Sequence, residues 1–387
     1  MLEFFIAKKH IFEKKRQSVI ATIGVAIGVI VLTVSIGIAN GLDKNMIDSI
    51  LSISSHILVQ GSGDIGNYEQ ISKKIEKIPG VKGVVPKVST QGIVKYKGIY
   101  GDYVSGVKVE GFDLKAAQKA MNLDKKIVAG EIDPENNKGV IVGKELLNRL
   151  GAKIGNDITV VSADGKDMNL KIAGAFQSGY YDYDTSLIII PLKTAQYMTY
   201  SGEKVTSLDV MLDDPYDADK IAGEIAMKTG LYTRTWGDLN RNLLSALALE
   251  KTVMILVFSL IVIIAGFVVW VILNMLVREK IKDIGIMRSM GFSNKSIMKI
   301  FLFQGVMLGG TGIVVGELVA LGMLWYIKNY SIAELTKIYY LTKVPVEISG
   351  KEILIIIGAN LVIILLSSIF PAYRAGKMDT VEALRHE

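Results

Sequence analysis

The sequence predicts a membrane α-helical protein: four transmembrane helices carrying a large α+β extracytoplasmic domain of two subdomains. Three observations predict it. Half of the 387 residues are hydrophobic and the mean hydropathy is +0.38, more apolar than an ordinary soluble chain. Four stretches are nearly free of charge for the roughly 20 residues that a bilayer crossing needs: Ser18 to Ala39, Thr252 to Val277, Ile300 to Ile327 and Ile353 to Tyr373, with Glu317 their only ionisable residue. The 206 residues from Gly41 to Ala246, by contrast, hold 25 basic and 26 acidic side chains and alternate between strand, turn and helix patterns.

Residues 1–17 form a short basic N-terminus with Lys8, Lys9, Lys14, Lys15 and Arg16. A basic segment before an apolar one can mark a signal peptide, but the apolar run at 18–39 has 22 residues, against about 7–15 for a signal core. It reads as an uncleaved first span. The short segments 1–17, 278–299 and 374–387 hold five, six and three Lys or Arg, which puts them and both termini in the cytoplasm. Residues 41–246 and the short loop 328–352 then lie outside.

In the outer domain a strand–helix–strand pattern occurs twice, as "HILVQ", "NYEQISKKIEKI", "VKGVVPKV" and as "SLDVML", "PYDADKIAGEIAMKTG", "LYTRTW". Pro215 suits the first turn of the second of these helices. Both copies lie near the ends of the domain, which predicts one subdomain built from both chain ends and a second inserted at roughly 110–199. Asp164-Gly165 between "NDITVVSA" and "MNLKIAGAF" signals a hairpin.

No catalytic constellation, cofactor site or metal site is visible. His10, His56 and His386 are scattered, and the absence of cysteine excludes disulfides and thiolate metal sites. "GVIVGKELL" lacks a phosphate-loop spacer and has Glu145 where Ser or Thr should follow Lys144, so a strand leading into a helix is expected. "YYDYD" at 180–184 reads as a polar loop at a strand end. The chain shows no means of hydrolysing ATP and nothing that asks for nucleic acid.

After the second span at 252–277 comes "REKIKDIGIMRSMGFSNKSIMKIFLFQG". Ile281, Ile284 and Met287 recur at helical spacing. Gly291 is a helix stop and Ser293 a cap for the next helix. Periodicity alone fits a helix held by anionic lipid as well as one docked on a partner. The third span at 300–327 carries Gly305/Gly309 and Gly312/Gly316, and the first carries Gly24/Gly28; small residues four apart let helices approach closely. Glu317 has two readings: a polar wall of a cavity between two copies, or, the favoured one, a carboxyl hydrogen-bonded to a neighbouring helix. Pro371 ends or kinks the fourth span at 353–373, and Asp379 to Glu382 can open a short amphipathic helix in the tail.

Beyond periodicity, "TWGDLNRNLLSALALEKTVM", "AGF", "LVREKIKDIGIMRSMGFS" and "FLFQG" closely resemble the permeases of lipoprotein-releasing (Lol) ABC transporters, in a superfamily with macrolide-efflux permeases and the cell-division permease FtsX. "IPGVKGVVPKVSTQGIV", "GVKVEGFD", "FQSGYYDYDTSLIIIPLKTAQ" and the tail extend the resemblance over nearly the whole chain. One departure is Val268, where Lol permeases usually have Asn after the Phe at 267. The resemblance implies a permease dimer, alike or unlike, bound to two copies of a separate ATPase that uses ATP and Mg. It implies that 278–299 rests on the ATPase, with Glu279, Ile281, Ile284, Met287, Arg288 and Gly291 as the coupling set. The second span would act as a stalk that moves the outer domain. The resemblance also implies that lipoprotein is drawn from the outer leaflet of the cytoplasmic membrane, its acyl chains held between the permeases, with the lipoprotein or its periplasmic carrier as a partner. The rival expectations are export of a small molecule or peptide, as in the macrolide-efflux branch, and FtsX-like switching of a cell-wall hydrolase.

Overall fold

The computed structural model describes residues 2–98, 101–131, 133, 136–330 and 344–378. Its contacts divide it into two units, one formed by the residues up to Asp43 together with those from Leu247 onward, the other by Lys44–Ala246. The capping sequence at 379–382 and residues 331–343 of the outer loop lie outside the described residues.

The chain opens with helix α1 (Leu2–Glu13) and passes at Lys14 into α2 (Lys15–Leu51). The Ser18 hydroxyl donates to the Ile11 carbonyl at 3.0 Å, seven residues back, which marks the bend between the two helices. The charge-free stretch ends at Ala39, yet α2 continues to Leu51. Thirty-seven helical residues reach about 55 Å, well beyond the ~30 Å of hydrocarbon.

The α+β unit is one ten-stranded sheet with helices packed on it. The first repeat is β1 (Ile57–Gln60), α3 (Tyr68–Ile75) and β2 (Val81–Gly98); β3 (Gly101–Phe112) returns along β2. Then come α4 (Leu114–Met121), β4 (Ile127–Gly130), β5 (Gly139–Gly143), α5 (Lys144–Leu150), β6 (Asp157–Ser162), β7 (Asp167–Phe176), α6 (Tyr181–Ser186), β8 (Leu187–Pro191) and α7 (Leu192–Met198). The second repeat is β9 (Ser207–Leu212), α8 (Ala218–Thr229) and β10 (Tyr232–Thr235), followed by the short α9 (Trp236–Leu239). The sheet order is β10-β1-β9-β2-β3-β8-β5-β7-β4, with β6 on β2 and β7. Its first four strands interleave the two repeats antiparallel, the split βαβ arrangement. The inserted piece joins the same sheet, because β3 pairs in parallel with β8.

Sequence chemistry accounts for most of these joints. β6 and β7 turn through Gly165, whose φ of +79° suits glycine. Pro215 opens a separate 3₁₀ turn at Pro215–Asp217, before α8 rather than inside it; the Asp214 carboxylate accepts from the Tyr216 N–H at 2.9 Å. "GVIVGKELL" is β5 running into α5, and Gly143 lies against the backbone of Asp184 where a Cβ would overlap it. "YYDYD" is a short helix, not a loop. Its Asp184 is buried and accepts from the Ser178 N–H at 2.7 Å and the Gly179 N–H at 3.2 Å, so this carboxylate holds a turn.

The remaining helices are α10 (Arg241–Glu279), α11 (Ile281–Ser289), α12 (Asn294–Asn329) and α13 (Gly350–Gly376). Together with α2, the helices α10, α12 and α13 are long and apolar enough to cross a membrane. Pro371 lies inside α13 without ending it. Glycines set the packing. Gly305 and Gly309 of α12 lie against Ser368 and Ile364 of α13, where a Cβ would overlap. A Cβ on Gly312 would sit 2.9 Å from the Thr22 carbonyl, and one on Gly316 2.8 Å from the Ala26 carbonyl, so these two receive α2. A Cβ on Gly24 would sit 3.0 Å from the Val268 side chain of α10, and one on Gly28 3.4 Å from Ala265. Val268 thus makes an apolar contact between α10 and α2.

Candidate functional site at the turn between α10 and α12

α10 runs 39 residues and ends at Glu279. Lys280 breaks it, α11 follows, and Gly291 closes α11 with φ +91°, a conformation side-chain-bearing residues rarely adopt. The Phe292 N–H then donates to the Met287 carbonyl at 3.1 Å. The Ser293 hydroxyl caps α12 by accepting from the Ser296 N–H at 3.1 Å.

The apolar face of α11 turns inward. Ile284 is fully buried and Met287 partly so, packed in a cluster with Val277, Ile297, Ile300, Phe301 and Ala372. Ile284 is therefore a core residue of the helical unit and is not available to a docking partner; Ile281 is half-buried. The sequence located the apolar stripe, but what covers it is the chain's own α10, α12 and α13, contacts that periodicity does not reveal. The outward face carries Lys282, Ile286 (50% exposed), Ser289 and Met290 (73% exposed). Arg288 is half-buried and Gly291 exposed. Ile286 and Met290 are one turn apart and share a face.

Two other residues of the expected coupling region are engaged with the chain itself. Glu279 binds Lys14 at 2.9 Å and accepts from Gln17 at 2.7 Å. The hydrogen bond from Lys14 holds its carboxyl below the usual carboxylate range. Lys280 pairs with Glu13 at 2.8 Å and Asp283 at 2.7 Å. Burial works against its charge, but those two hydrogen bonds outweigh it and raise its pKa. His10, one of the three scattered histidines, has a partner that no local pattern reveals: it is buried on α12 with Nδ1 2.8 Å from Gln304 Nε2. Burial pushes the His10 imidazole down. Within the spans, Glu317 is buried and accepts from the Thr33 hydroxyl of α2 at 3.0 Å. Its carboxyl lies between packed helices.

The α+β unit holds a second polar cluster. Lys87, Glu110 and Asp209 are all buried. Lys87 Nζ is 2.6 Å from Asp209 and 3.9 Å from Glu110, which also binds Lys108 at 2.5 Å. Burial raises the Asp209 carboxyl. Burial also opposes the Lys87 charge, but Asp209 and Glu110 together hold that ammonium above its usual range. These groups border a cavity of about 190 Å³ that also touches Ser54, Ser55, Leu239 and Asn240, the residues that follow α2 and precede α10.

Residues 18–227 match the MacB-like periplasmic core domain, and residues 255–380 the FtsX-like permease C-terminal domain. The chain belongs to the MacB/FtsX-like permeases. Curated relatives include the lipoprotein-releasing system transmembrane protein LolC of Neisseria meningitidis serogroup B, 26% identical with 100% of this chain and 99% of that one aligned. LolE of Haemophilus influenzae is also 26% identical, with 98% of each aligned. Among solved structures, the periplasmic region of MacB from Actinobacillus actinomycetemcomitans is 12% identical with a TM-score of 0.34, covering 51% of this permease and 97% of that chain. By these family matches and its four long apolar helices this permease is a multi-pass inner-membrane protein with an α+β periplasmic core domain, and its full-length relatives are transmembrane proteins of lipoprotein-releasing systems.

Proposed function

We propose that this permease is the force-transmitting subunit of a lipoprotein-releasing ABC complex, driven by a separate ATPase that binds ATP and Mg. In this reading both termini and the α11 turn face the cytoplasm, two permeases, alike or unlike, pair in the membrane, and each engages one of two ATPase copies. The observation that carries the reading is the exposed pair Ile286, on α11, and Met290, its C-cap, beside the foot of an α10 that is unbroken for 39 residues. Burying each in an ATPase groove would contribute ~1.5–3 kcal/mol, while Lys282 and Arg288 would steer association. Closure of the ATPase pair would push on α11, and α10 would carry the displacement. The exposed apolar row of α10 that includes Leu260, Ile264, Phe267 and Val271 suits a second permease, lipid or acyl chains.

The test is mass spectrometry of the complex, gently extracted with its ATPase, with and without a trapping ATP analogue. Triacylated lipoproteins that co-purify without nucleotide and leave when ATP is trapped support lipoprotein release. An ATPase that co-purifies without any lipoprotein under either condition overturns the cargo assignment while leaving the coupling role of α11 standing.

A further inference from the structure

α1 crosses α12 instead of running beside it. Phe4 meets Phe303 edge-on, with centroids 6.0 Å apart, while His10 bonds Gln304 at 2.8 Å. Six residues of α1, about 9 Å of helix, therefore span neighbouring residues of α12. Because α12 spans the bilayer, α1 lies roughly in the membrane plane. It does so near Phe303, one turn into the apolar stretch that begins at Ile300.

The inner face of α1 is filled by Ala7 and His10, both buried against α12. Its outer face is uncovered. Phe5 is 65% and Phe12 61% exposed; seven residues apart, they point the same way. Lys8 and Lys9, also exposed, flank that pair on either side of the helix. Neither lysine has an ion-pair partner among the described residues, nor do Lys15 and Arg16 just beyond. Phenyl rings in the middle with free cations on both flanks complement a bilayer surface whose headgroups are negative.

We propose that the outer face of α1 is a binding surface for anionic phospholipid. The phenyl rings of Phe5 and Phe12 enter the acyl boundary, and Lys8 and Lys9 hold the phosphate-bearing headgroups. The consequence reaches the coupling turn, because Glu13 at the end of α1 binds Lys280 at 2.8 Å. Lipid that fixes α1 thereby fixes the start of α11. The inference needs only the membrane-spanning assignment and is independent of the cargo.

The chain has no cysteine, so Phe12→Cys accepts a single nitroxide label in the full-length protein. The label's exposure to a water-soluble nickel relaxant is measured in nanodiscs of phosphatidylcholine and of equimolar phosphatidylcholine and phosphatidylglycerol, with Lys282→Cys as the water-exposed control. The expected result is a label shielded more strongly in the phosphatidylglycerol bilayer, with the difference lost in high salt. Lys8→Gln/Lys9→Gln, which should weaken attachment to the charged surface roughly 30-fold, is expected to abolish the lipid dependence. Equal nickel exposure in the two bilayers overturns the proposal, as does a lipid dependence that survives high salt or survives the double substitution in a folded variant. The salt arm uses the chain with its lysines intact, so the test holds even where the double variant fails to fold.

Discussion

Replacing Lys87 by Met removes the one buried cation between two buried carboxylates and keeps most of the apolar stem. The structure sets the size of the effect. Asp209 loses its partner at 2.6 Å, and its other oxygen is already sealed without a hydrogen-bond partner. Glu110 keeps only Lys108, which is about half exposed. Breaking a buried pair by removing one member costs about 3–5 kcal/mol. Lys87 lies on β2 and Asp209 on β9, strands that pair antiparallel with Val85 opposite Asp209 and Ser207 opposite Lys87. Hydrogen exchange of the β2 and β9 amides in the full-length protein should therefore accelerate roughly 10²–10⁴-fold in Lys87→Met at pH 7. The deficit should shrink as the pH falls. An uncompensated buried carboxyl has its folded pKa raised above its unfolded value, so the variant gains stability as protons bind below the folded pKa. Lys87→Met/Asp209→Leu should recover much of the loss, because apolar groups of similar volume replace buried pairs at little cost. Exchange within tenfold of the parent in Lys87→Met, with no pH dependence, would refute the reasoning: the cluster would then be wet and the pair worth little.

Three further outcomes are expected. His56 is buried and pushed down to about 4, chiefly by burial, while an unfolded histidine titrates near 6.5. The folded form is thus fully stable above about 6.5 and loses up to roughly 3 kcal/mol as the pH falls to about 4, with no further loss from this group below that; unfolding of the α+β unit against pH, with and without His56→Gln, checks it. Gly312→Leu should drive α12 off α2 and cost ~1–3 kcal/mol, whereas Gly310→Leu, with nothing within 4 Å of its Cβ direction, should be tolerated; thermal unfolding in detergent separates them. Ile284→Ala should cost ~2–5 kcal/mol of stability as a core truncation, while Ile286→Ser should leave stability nearly unchanged and weaken ATPase retention, read by unfolding and co-purification in parallel.

What the sequence showed of this molecule follows from which forces are local. The four spans were legible because bilayer crossing demands a charge-free length, and the interleaved repeats because strand and helix periods alternate along the chain. The lengths of α2 and α10 were not, since their extensions at 40–51 and 241–251 are polar enough to read as the ends of the outer domain. At the coupling turn, Gly291 and Ser293 were readable from local backbone chemistry. The direction in which Ile284 points was not, because it is fixed by Ile297, Phe301 and Ala372 from distant segments. The same holds for Glu279, whose partners Lys14 and Gln17 are more than 260 residues away, and for the buried pair Lys87 and Asp209.

The central claim is that the outward face of α11 meets the ATPase. Single cysteines at Ile284, Ile286 and Met290, in a chain otherwise free of cysteine, should be tested with a short crosslinker in the complex with the co-purifying ATPase. The account predicts crosslinks from positions 286 and 290 that change with trapped nucleotide, and none from 284. Crosslinking from 284, or none from 286 and 290 in a complex that retains its ATPase, would contradict it.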